Sequence, residues 1–271
     1  MTDSGRAKAP WVFSSNDAVS SIDQTPEKRT DKTPMFSVDA CSSTMDLARN
    51  LAESGRLPVW GSVLAATQLA GRGQFGRTWV SPRGNLYGSL RLPVLSRPWN
   101  DLLPLLLAES LHAVLKDLGV ASAVKWPNDL LVDGKKVAGV LTEARSDIIL
   151  GGLGLNLISA PPDHVLRQPS AGRAGCLAAS GVRLTPLEIW PPLVHRIRLR
   201  VSREVKQGDP ERFVRSLTPC LAFIGQPIRL DAYAAAGVPA IFQGLDPSGA
   251  IRVMTADGEQ VFHSGSIYPV I

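Results

Sequence analysis

The chain has 271 residues, of which 44% are hydrophobic and 20% are charged, as in an ordinary globular protein with a sizeable core. Its net charge of +5 is spread along the chain, and no basic block with interleaved aromatic residues predicts a nucleic-acid interface. The three cysteines (Cys41, Cys176 and Cys220) have no CxxC spacing, which argues against a disulfide framework and a structural zinc site.

The first part of the chain is rich in Ser, Thr, Asp, Lys and Pro, and we predict a disordered N-terminal arm over residues 1–34. This part holds charges of both signs and lacks the apolar run of a secretory signal. No stretch of the sequence approaches the roughly 18 apolar residues that span a bilayer. We therefore expect a cytoplasmic protein without membrane contact.

The central part of the chain alternates helix and strand signals. Ser42 or Ser43 predicts the cap of a helix that ends near Ser54. Strands are predicted at about 59–67 and 86–92, on either side of a glycine-rich loop at 71–76. A long helix is expected from a cap at Asn100 or Asp101 to Leu118, followed by strands at about 122–126, 129–133, 136–143 and 147–156.

Turn and cap signals organise the rest of the chain. Asp133-Gly134 predicts a type I′ hairpin turn, and Thr185-Pro186-Leu187-Glu188 predicts a capping box, after which Pro191 and Pro192 should bend or delay the helix. Asp209-Pro210 should open a further short helix. From Leu221 onward, short β-like runs predict a small β-barrel, so we expect one domain over residues 35–219 and another over 220–271.

A glycine- and arginine-rich segment, QLAGRGQFGR, runs from Gln68 to Arg77. Three glycines within six residues let the backbone approach a ligand, and successive backbone N–H groups in such a loop bind anions. Arg72 and Arg77 add forked donors suited to carboxylate and phosphate groups. The segment has neither the ending of a P-loop nor the spacing of a Rossmann fingerprint, and a flexible surface loop with exposed arginines is the alternative.

A second motif, KWPND, begins at Lys125 and leads into a hairpin. Asn128 and Asp129 place an amide and a carboxylate at a strand end, where a metal–phosphate group or a ribose is readily held. Lys135 and Lys136 are adjacent in a strand and must point to opposite faces, so only one of them enters a site. A hairpin with solvated lysines is the alternative.

The third motif, GGLGLN, begins at Gly151 and ends at Asn156. Alternating glycines remove side chains from one face of a strand, so that a ligand or another strand can lie close. The amide of Asn156 could then donate to a nucleotide or carboxyl oxygen, and tight sheet packing is the alternative.

Together these motifs resemble the biotin–protein ligase family, whose hallmarks are GRGxxGR, KWPND, K-x-A-G and G-x-G-x-N in this order. The resemblance covers residues 36–271 and is specific because all four motifs occur in sequence. It implies an α+β fold with a class II synthetase-like mixed β-sheet flanked by helices, plus a small SH3-like β-barrel at the C-terminus. It also implies a short form without the N-terminal winged helix, since about 35 residues are too few for one.

The resemblance also implies site roles. It places biotin against Ser43, Thr44, Met45, Gln68, Arg72, Gly73, Gln74, Lys136 and Gly139. It places ATP against Arg77, Lys125, Asn128 and Asn156, with Asp129 as a tentative magnesium ligand. Lys136, Arg72, Arg77 and Asp129 are the implied catalytic residues. Met45 stands where the family usually has asparagine, and Gln74 stands where many members have an arginine that retains the adenylate.

The implied reaction is ATP-dependent activation of biotin as biotinyl-5′-AMP, followed by transfer to a lysine of a biotin carboxyl carrier domain of a carboxylase. The implied cofactors are ATP and Mg²⁺, and a monomer or weak homodimer without sequence-specific DNA binding is expected. A lipoate–protein ligase shares the chemistry, although the GRGxxGR and KWPND pair argues against it. A biotin-binding regulator without catalysis is the other alternative, against which the presence of both Lys125 and Lys136 argues.

Overall fold

The structure is a computed structural model that describes residues 20–21, 33–162, 173–232 and 235–270. The predicted disorder of residues 1–34 therefore lies outside the described residues, apart from 20–21 and 33–34. Within the part described, no helix is both long and apolar enough to cross a membrane.

A mixed sheet forms the larger part of the molecule. Its eight strands, counted within the described residues, are β1 (Ser20–Ser21), β2 (Met35–Cys41), β3 (Ser62–Gln68), β4 (Leu86–Leu92), β5 (Ala123–Lys125), β6 (Asp129–Val132), β7 (Lys135–Arg145) and β8 (Ile148–Leu155). They are ordered β1-β2-β3-β4-β8-β7-β6-β5. The β2–β3 pair is parallel and the other pairs are antiparallel. This arrangement confirms the predicted mixed sheet.

Helix α1 (Thr44–Glu53) begins where the sequence predicts it. Ser43 caps it by accepting a hydrogen bond from the Met45 backbone N–H at 3.3 Å. The strand that follows starts at Ser62 rather than at residue 59, because Trp60 has a φ of 71° and cannot continue a strand.

Helix α2 (Trp99–Asp117) begins earlier than predicted. Pro98 occupies the cap position, whereas Asn100 and Asp101 lie inside the first turn. The Asn100 side chain accepts from the Leu95 backbone N–H at 3.1 Å, so it fastens the preceding loop instead of capping the helix. The predicted cap was therefore wrong, because tertiary contacts used this side chain differently.

Helix α3 (Pro186–Gln207) has the predicted capping box, in which Thr185 and Glu188 bond reciprocally. The helix continues through Pro191 and Pro192, so the predicted delay was wrong. Pro191 and Pro192 are the sixth and seventh helical residues, so each removes one i→i−4 hydrogen bond. Burial of Trp190 and Leu193 in the core supports the helix through this stretch. Helix α4 (Pro210–Ser216) follows, and Asp209 caps it as predicted.

The glycines of β8 show which helices cover which face of the sheet. An added Cβ at Gly151 would lie 2.9 Å from Leu107 of α2, whereas one at Gly152 would lie 2.8 Å from Met45 of α1. Adjacent strand residues point to opposite faces, so α1 and α2 lie on opposite sides of the sheet. Helices α2 and α3 cover one face of the sheet and form the buried core there. The candidate site lies on the other face, which carries α1.

A second, antiparallel sheet follows. Its five strands within the described residues are β9 (Pro227–Ala232), β10 (Ala235–Leu245), β11 (Ile251–Thr255), β12 (Gly258–Phe262) and β13 (Ser266–Pro269). They are ordered β12-β11-β10-β9-β13. The predicted C-terminal β domain is thus confirmed as a sheet, while closure into an SH3-like barrel and a boundary at 219/220 stay predictions.

The two sheets meet at the KWPND motif. The Trp126 indole N–H donates to the carbonyl of Gly249, in the turn between β10 and β11, at 2.9 Å. An added Cβ at Gly249 would lie 2.7 Å from Leu102 of α2, so only glycine fits there. These contacts bring the second sheet against the strand end that carries Lys125.

Candidate active site

A cavity of about 590 Å³ opens on the α1 face of the sheet. That volume is typical of small-molecule sites. The structure brings together all the residues named from sequence around this one cavity: Ser43, Thr44, Met45, Gln68, Arg72, Gly73, Gln74, Arg77, Lys125, Asn128, Asp129, Lys136, Gly139 and Asn156. Their contacts with ligands stay predictions.

One end of the cavity is built from uncharged polar groups. The Thr44 backbone N–H and hydroxyl donate to Gln68 Oε1 at 2.9 and 3.1 Å. Gln68 Nε2 donates to the Ser81 hydroxyl at 3.0 Å, and the Ser89 hydroxyl donates to Thr44 Oγ1 at 2.8 Å. This network holds the side chains of α1, β3 and β4 in one arrangement, which suits recognition of a polar, uncharged group. Sequence reasoning gave Ser81 no role and missed Ser89, because only the tertiary structure brings these residues against Gln68 and Thr44.

The glycines of β7 and β8 make room for two side chains rather than directly for a ligand. An added Cβ at Gly154 would lie 2.5 Å from the Trp79 indole, and one at Gly139 would lie 3.1 Å from it. Gly152 makes the same room for Met45, which is 4% exposed and lines the cavity. The alternative of tight packing therefore holds for these glycines, and its effect is to seat Met45 and Trp79 in the wall.

The glycine- and arginine-rich loop is tied down through Arg72. Its guanidinium lies 2.7 Å from Asp46 Oδ2 and 3.4 Å from Glu143 Oε1, and Arg49 lies 2.9 Å from the other oxygen of Glu143. The hydrogen bond to Asp46 raises the pKa of Arg72. Arg72 is therefore already paired with carboxylates of α1 and β7, and these ion pairs connect the loop to both elements.

The tip of the loop is a tight turn. The Gly73 N–H donates to the Arg77 carbonyl at 2.7 Å, and Phe75 has a φ of 55° and is 68% exposed. The Arg77 guanidinium carbon lies 6.0 Å from the Phe75 ring centroid. Gln74 and Arg77 both line the cavity, so the turn presents one amide and one cation to it.

The opposite wall carries two lysines that share one carboxylate. Lys125 Nζ lies 3.4 Å from one oxygen of Asp129, and Lys136 Nζ lies 2.5 Å from the other. The side chains of Lys125 and Asp129 are 8% and 12% exposed, whereas that of Lys136 is 31% exposed. Lys135, its neighbour, is exposed on the other face, as predicted.

Charge and burial compete in this cluster. Burial alone would raise the pKa of Asp129, but the charges of Lys136 and Lys125 and their hydrogen bonds lower it overall. Burial lowers the pKa of Lys125, although Asp129 opposes the change. Asp129 is consequently a weak base, and its negative charge is offset by two ammonium groups, which leaves one net positive charge at the wall.

This geometry does not suit Asp129 as a metal ligand. Both of its carboxylate oxygens contact lysine ammonium groups. Among the described residues, no group of three or more His, Cys, Asp or Glu side chains is placed to hold a metal ion. The protein side chains seen here therefore do not form a magnesium site of their own.

Several polar atoms at the cavity lack partners within the described residues. These are the Asn156 Oδ1, the Trp79 indole Nε1 and the Tyr268 hydroxyl. The other end of the Asn156 amide donates to the Gly175 carbonyl at 3.0 Å, while the Asn128 amide donates to the backbone of β7. Solvent does not reach these three atoms, so each is a buried polar group whose hydrogen bond is unmade among the described residues.

The second sheet also contributes to the cavity, through Ser266 and Tyr268 of β13. Sequence analysis missed both residues, because no local pattern relates the end of the chain to the KWPND motif. Trp79, two residues after the glycine- and arginine-rich segment, was also given no role, although its ring centroid lies 5.4 Å from Lys136 Nζ.

The described site has relatives among known proteins. Residues 37–157 match the biotin/lipoate A/B protein ligase family, and residues 223–268 match the biotin protein ligase C-terminal domain. The biotin–[acetyl-CoA-carboxylase] ligase of Paracoccus denitrificans is 32% identical over 222 residues, which cover 76% of this chain and 89% of the relative. The ligase of that name from Mycobacterium tuberculosis is 26% identical over 223 residues.

Solved structures agree with these relatives. The biotin protein ligase of Aquifex aeolicus in complex with biotin and ATP has a TM-score of 0.73 and 25% identity, covering 88% of this chain and 98% of that protein. The biotin protein ligase of Leishmania major in complex with biotinyl-5-AMP has a TM-score of 0.58 and 26% identity, covering 84% of this chain and 98% of that protein. In sequence, architecture and the motifs gathered around the cavity, the chain belongs to the biotin protein ligase family.

Proposed function

We propose that this chain activates biotin with ATP as biotinyl-5′-AMP and transfers the biotinyl group to a lysine of a biotin carboxyl carrier protein. The observation that carries the proposal is a single cavity in which two lysines share a buried carboxylate opposite an arginine-bearing loop. The named ligands of the Aquifex and Leishmania enzymes, biotin with ATP and biotinyl-5-AMP, support both substrates and the intermediate.

In the first half-reaction, a biotin carboxylate oxygen attacks the α-phosphorus of ATP, and the bond to pyrophosphate breaks. Two anions must approach each other, and charge accumulates on the phosphoryl oxygens. Lys136 is the more exposed of the paired lysines, and we assign it to the carboxylate and the α-phosphate. We assign the uncharged network at Thr44 and Gln68 to the polar ring of biotin, and Ser43, Met45, Gly73, Gln74 and Gly139 to the rest of its slot.

We assign Arg77, Lys125, Asn128 and Asn156 to the nucleotide. The position of Asn156 supports this assignment, because the residue lines the cavity and its Oδ1 has no hydrogen-bond partner within the described residues. Arg72 contributes mainly by holding the loop closed, since its charge is already shared with Asp46 and Glu143. A closed loop keeps water from the acyl-adenylate, which hydrolyses readily.

In the second half-reaction, the acceptor lysine attacks the acyl carbon of the adenylate, an amide bond forms, and AMP leaves. The attacking amine must first lose a proton. The low pKa of Asp129 makes it a poor general base, so we propose that the proton leaves to solvent or to the departing phosphate. Positioning of the amine then supplies much of the rate enhancement.

We propose that Asp129 holds the two lysines and would not hold Mg²⁺. Occupation of both carboxylate oxygens by lysines supports this view. The chemistry that magnesium would supply is neutralisation of the leaving pyrophosphate.

The test is to incubate the purified chain with biotin, Mg-ATP and a biotin carboxyl carrier domain, and to follow the acceptor by mass spectrometry. A biotinylated lysine is expected, and lipoate in place of biotin should give none. Lys136→Met should lower the rate about 10²- to 10³-fold, as for loss of one preorganised charge at a transition state. Lys135→Met, the adjacent exposed lysine, is the matched control and should leave the rate nearly unchanged.

Three outcomes would redirect the proposal. Modification with lipoate alone would make the chain a lipoate ligase, and biotin binding without any ATP-dependent adenylate would make it a regulator. A sequence-selective gel shift that resists salt would overturn the expected lack of specific DNA binding. Light scattering of the purified chain tests the expected monomer or weak homodimer.

A further inference from the structure

Strand β13 directs alternate side chains to different places. Ile267 is fully buried in the hydrophobic core, whereas Ser266 and Tyr268 line the cavity. This is the two-residue period of a strand. Tyr268 is 5% exposed, and among the described residues its hydroxyl has no hydrogen-bond partner. Tyr268 thus lies at the cavity wall that carries Lys125 and Asp129, which belong to the other sheet.

The ring of Tyr268 lies against Lys125. Lys125 Nζ is 5.0 Å from the ring centroid, within the range of a cation–π contact, and 3.4 Å from Asp129 Oδ2. Water reaches little of this ammonium group, because the side chain is 8% exposed. The carboxylate that faces it is also shared with Lys136, so the aromatic ring is the second favourable partner that the structure gives Lys125.

We propose that Tyr268 is a positioning residue for the adenylation reaction, and that its ring holds the Lys125 ammonium group against Oδ2 of Asp129. This inference rests on the proposed function, because adenylation is the step it concerns. With Lys125 held on one oxygen, Lys136 keeps the other and remains directed at the cavity. Without the ring, the two like charges would compete for one carboxylate.

The segment that carries Lys125 is bound to two parts of the chain that flank strands of the second sheet, the residues before β9 and the turn between β10 and β11. The Trp126 indole bonds to Gly249, and the Ala222 backbone N–H donates to the Val124 carbonyl at 2.8 Å, directly before Lys125. Val124 also forms an isolated parallel bridge with Leu221. The strand that carries the lysine and the sheet that carries the tyrosine are therefore docked at the residues next to this contact.

The test compares Tyr268→Leu with Tyr268→Phe in the full chain. Leucine keeps the site apolar and removes the ring, whereas phenylalanine keeps the ring and removes the hydroxyl. Pyrophosphate exchange with biotin and Mg-ATP is measured across pH. Loss of a desolvated cation–π contact corresponds to about a 10-fold fall in kcat/KM, which we expect for leucine, while phenylalanine should stay within about 3-fold. Phe262→Leu, a packed ring of the same sheet away from the cavity, is the matched control.

A second readout does not depend on activity. Burial lowers the pKa of Lys125, Asp129 opposes this change, and the charges of Lys136 and Arg77 lower the pKa further. Removing the ring should therefore lower the pKa of Lys125 further, and the alkaline limb of the exchange profile should move to lower pH. NMR titration of ¹³C-labelled lysines reports this directly, with the Lys125 signal identified by its absence in Lys125→Met.

The outcomes separate the inference from the proposed function. Absence of exchange in the wild type would overturn the function, whereas the Lys125 titration would still decide the role of the ring. A leucine variant with wild-type kcat/KM and wild-type Lys125 titration would overturn the inference. Equal damage from phenylalanine and leucine would also overturn it, because the hydroxyl would then carry the effect.

Discussion

The carboxylate shared by two lysines gives the sharpest test of how the site is held together. Asp129→Asn keeps the shape and one hydrogen-bonding oxygen but removes the negative charge between Lys125 and Lys136. The side chains of Asp129 and Lys125 are 12% and 8% exposed, so water cannot replace that charge. Two ammonium groups would then face each other at a buried wall.

The size of the effect follows from this burial. Breaking a buried ion pair by removing one partner costs about 3–5 kcal/mol, because the remaining charge stays uncompensated. Lys136 is 31% exposed and can turn toward solvent, which places the expected loss in free energy of unfolding near the lower end, at about 3 kcal/mol. The double variant Asp129→Asn/Lys125→Met also removes one of the two ammonium groups that Asp129→Asn leaves without a carboxylate. It should recover at least half of the lost free energy of unfolding.

Urea unfolding at neutral pH measures these free energies. Asp133→Asn is the matched control, since Asp133 is an exposed aspartate four residues along that bonds to the Ser180 hydroxyl at 3.1 Å. It should change the free energy of unfolding by less than about 0.5 kcal/mol. A similarly small change in Asp129→Asn, or no recovery in the double variant, would refute the bridging role of Asp129.

The same carboxylate gives an acid limb to the stability profile. The folded-state pKa of Asp129 lies below its unfolded value, so its contribution is fully present above the unfolded pKa of about 3.9. That contribution is lost as the pH falls through the lower folded pKa. The difference in free energy of unfolding between the wild type and Asp129→Asn should therefore become smaller in strong acid. Urea midpoints of both proteins between pH 2 and pH 6 measure this difference.

Three further predictions concern the rest of the site. Gly154→Ala places a methyl group 2.5 Å from the Trp79 indole. It should cost about 1–3 kcal/mol of unfolding free energy and lower the rate of adenylation. Wild-type values for both the stability and the rate would contradict the packing described. Gln74→Arg should slow release of biotinyl-5′-AMP, because an added guanidinium faces the phosphate; equal or faster release in a filter assay would disprove this. Burial raises the pKa of Cys41 to about 11, so alkylation followed by mass spectrometry should be slow at pH 8 and rise only near that pKa; rapid labelling at pH 8 would count against it.

The sequence by itself determined several of the local elements and the residues that gather at the site. Ser43 and Thr185 cap helices as predicted because their side chains bond to N–H groups within a few residues. Asp133 and Gly134 both adopt positive φ, as a type I′ turn requires. The ordered motifs gave the family, and every residue named from them lines one cavity, although their roles toward ligands stay predictions.

Tertiary structure alone decided how those residues are used. Arg72 is paired with Asp46 and Glu143, 26 and 71 residues away, so its charge is already shared with two carboxylates. Tyr268 meets Lys125 only because the two sheets dock. Capping and turn chemistry act over a few residues and leave a local signal in sequence, whereas charge pairing and burial depend on which distant strands become neighbours, and no local pattern encodes that.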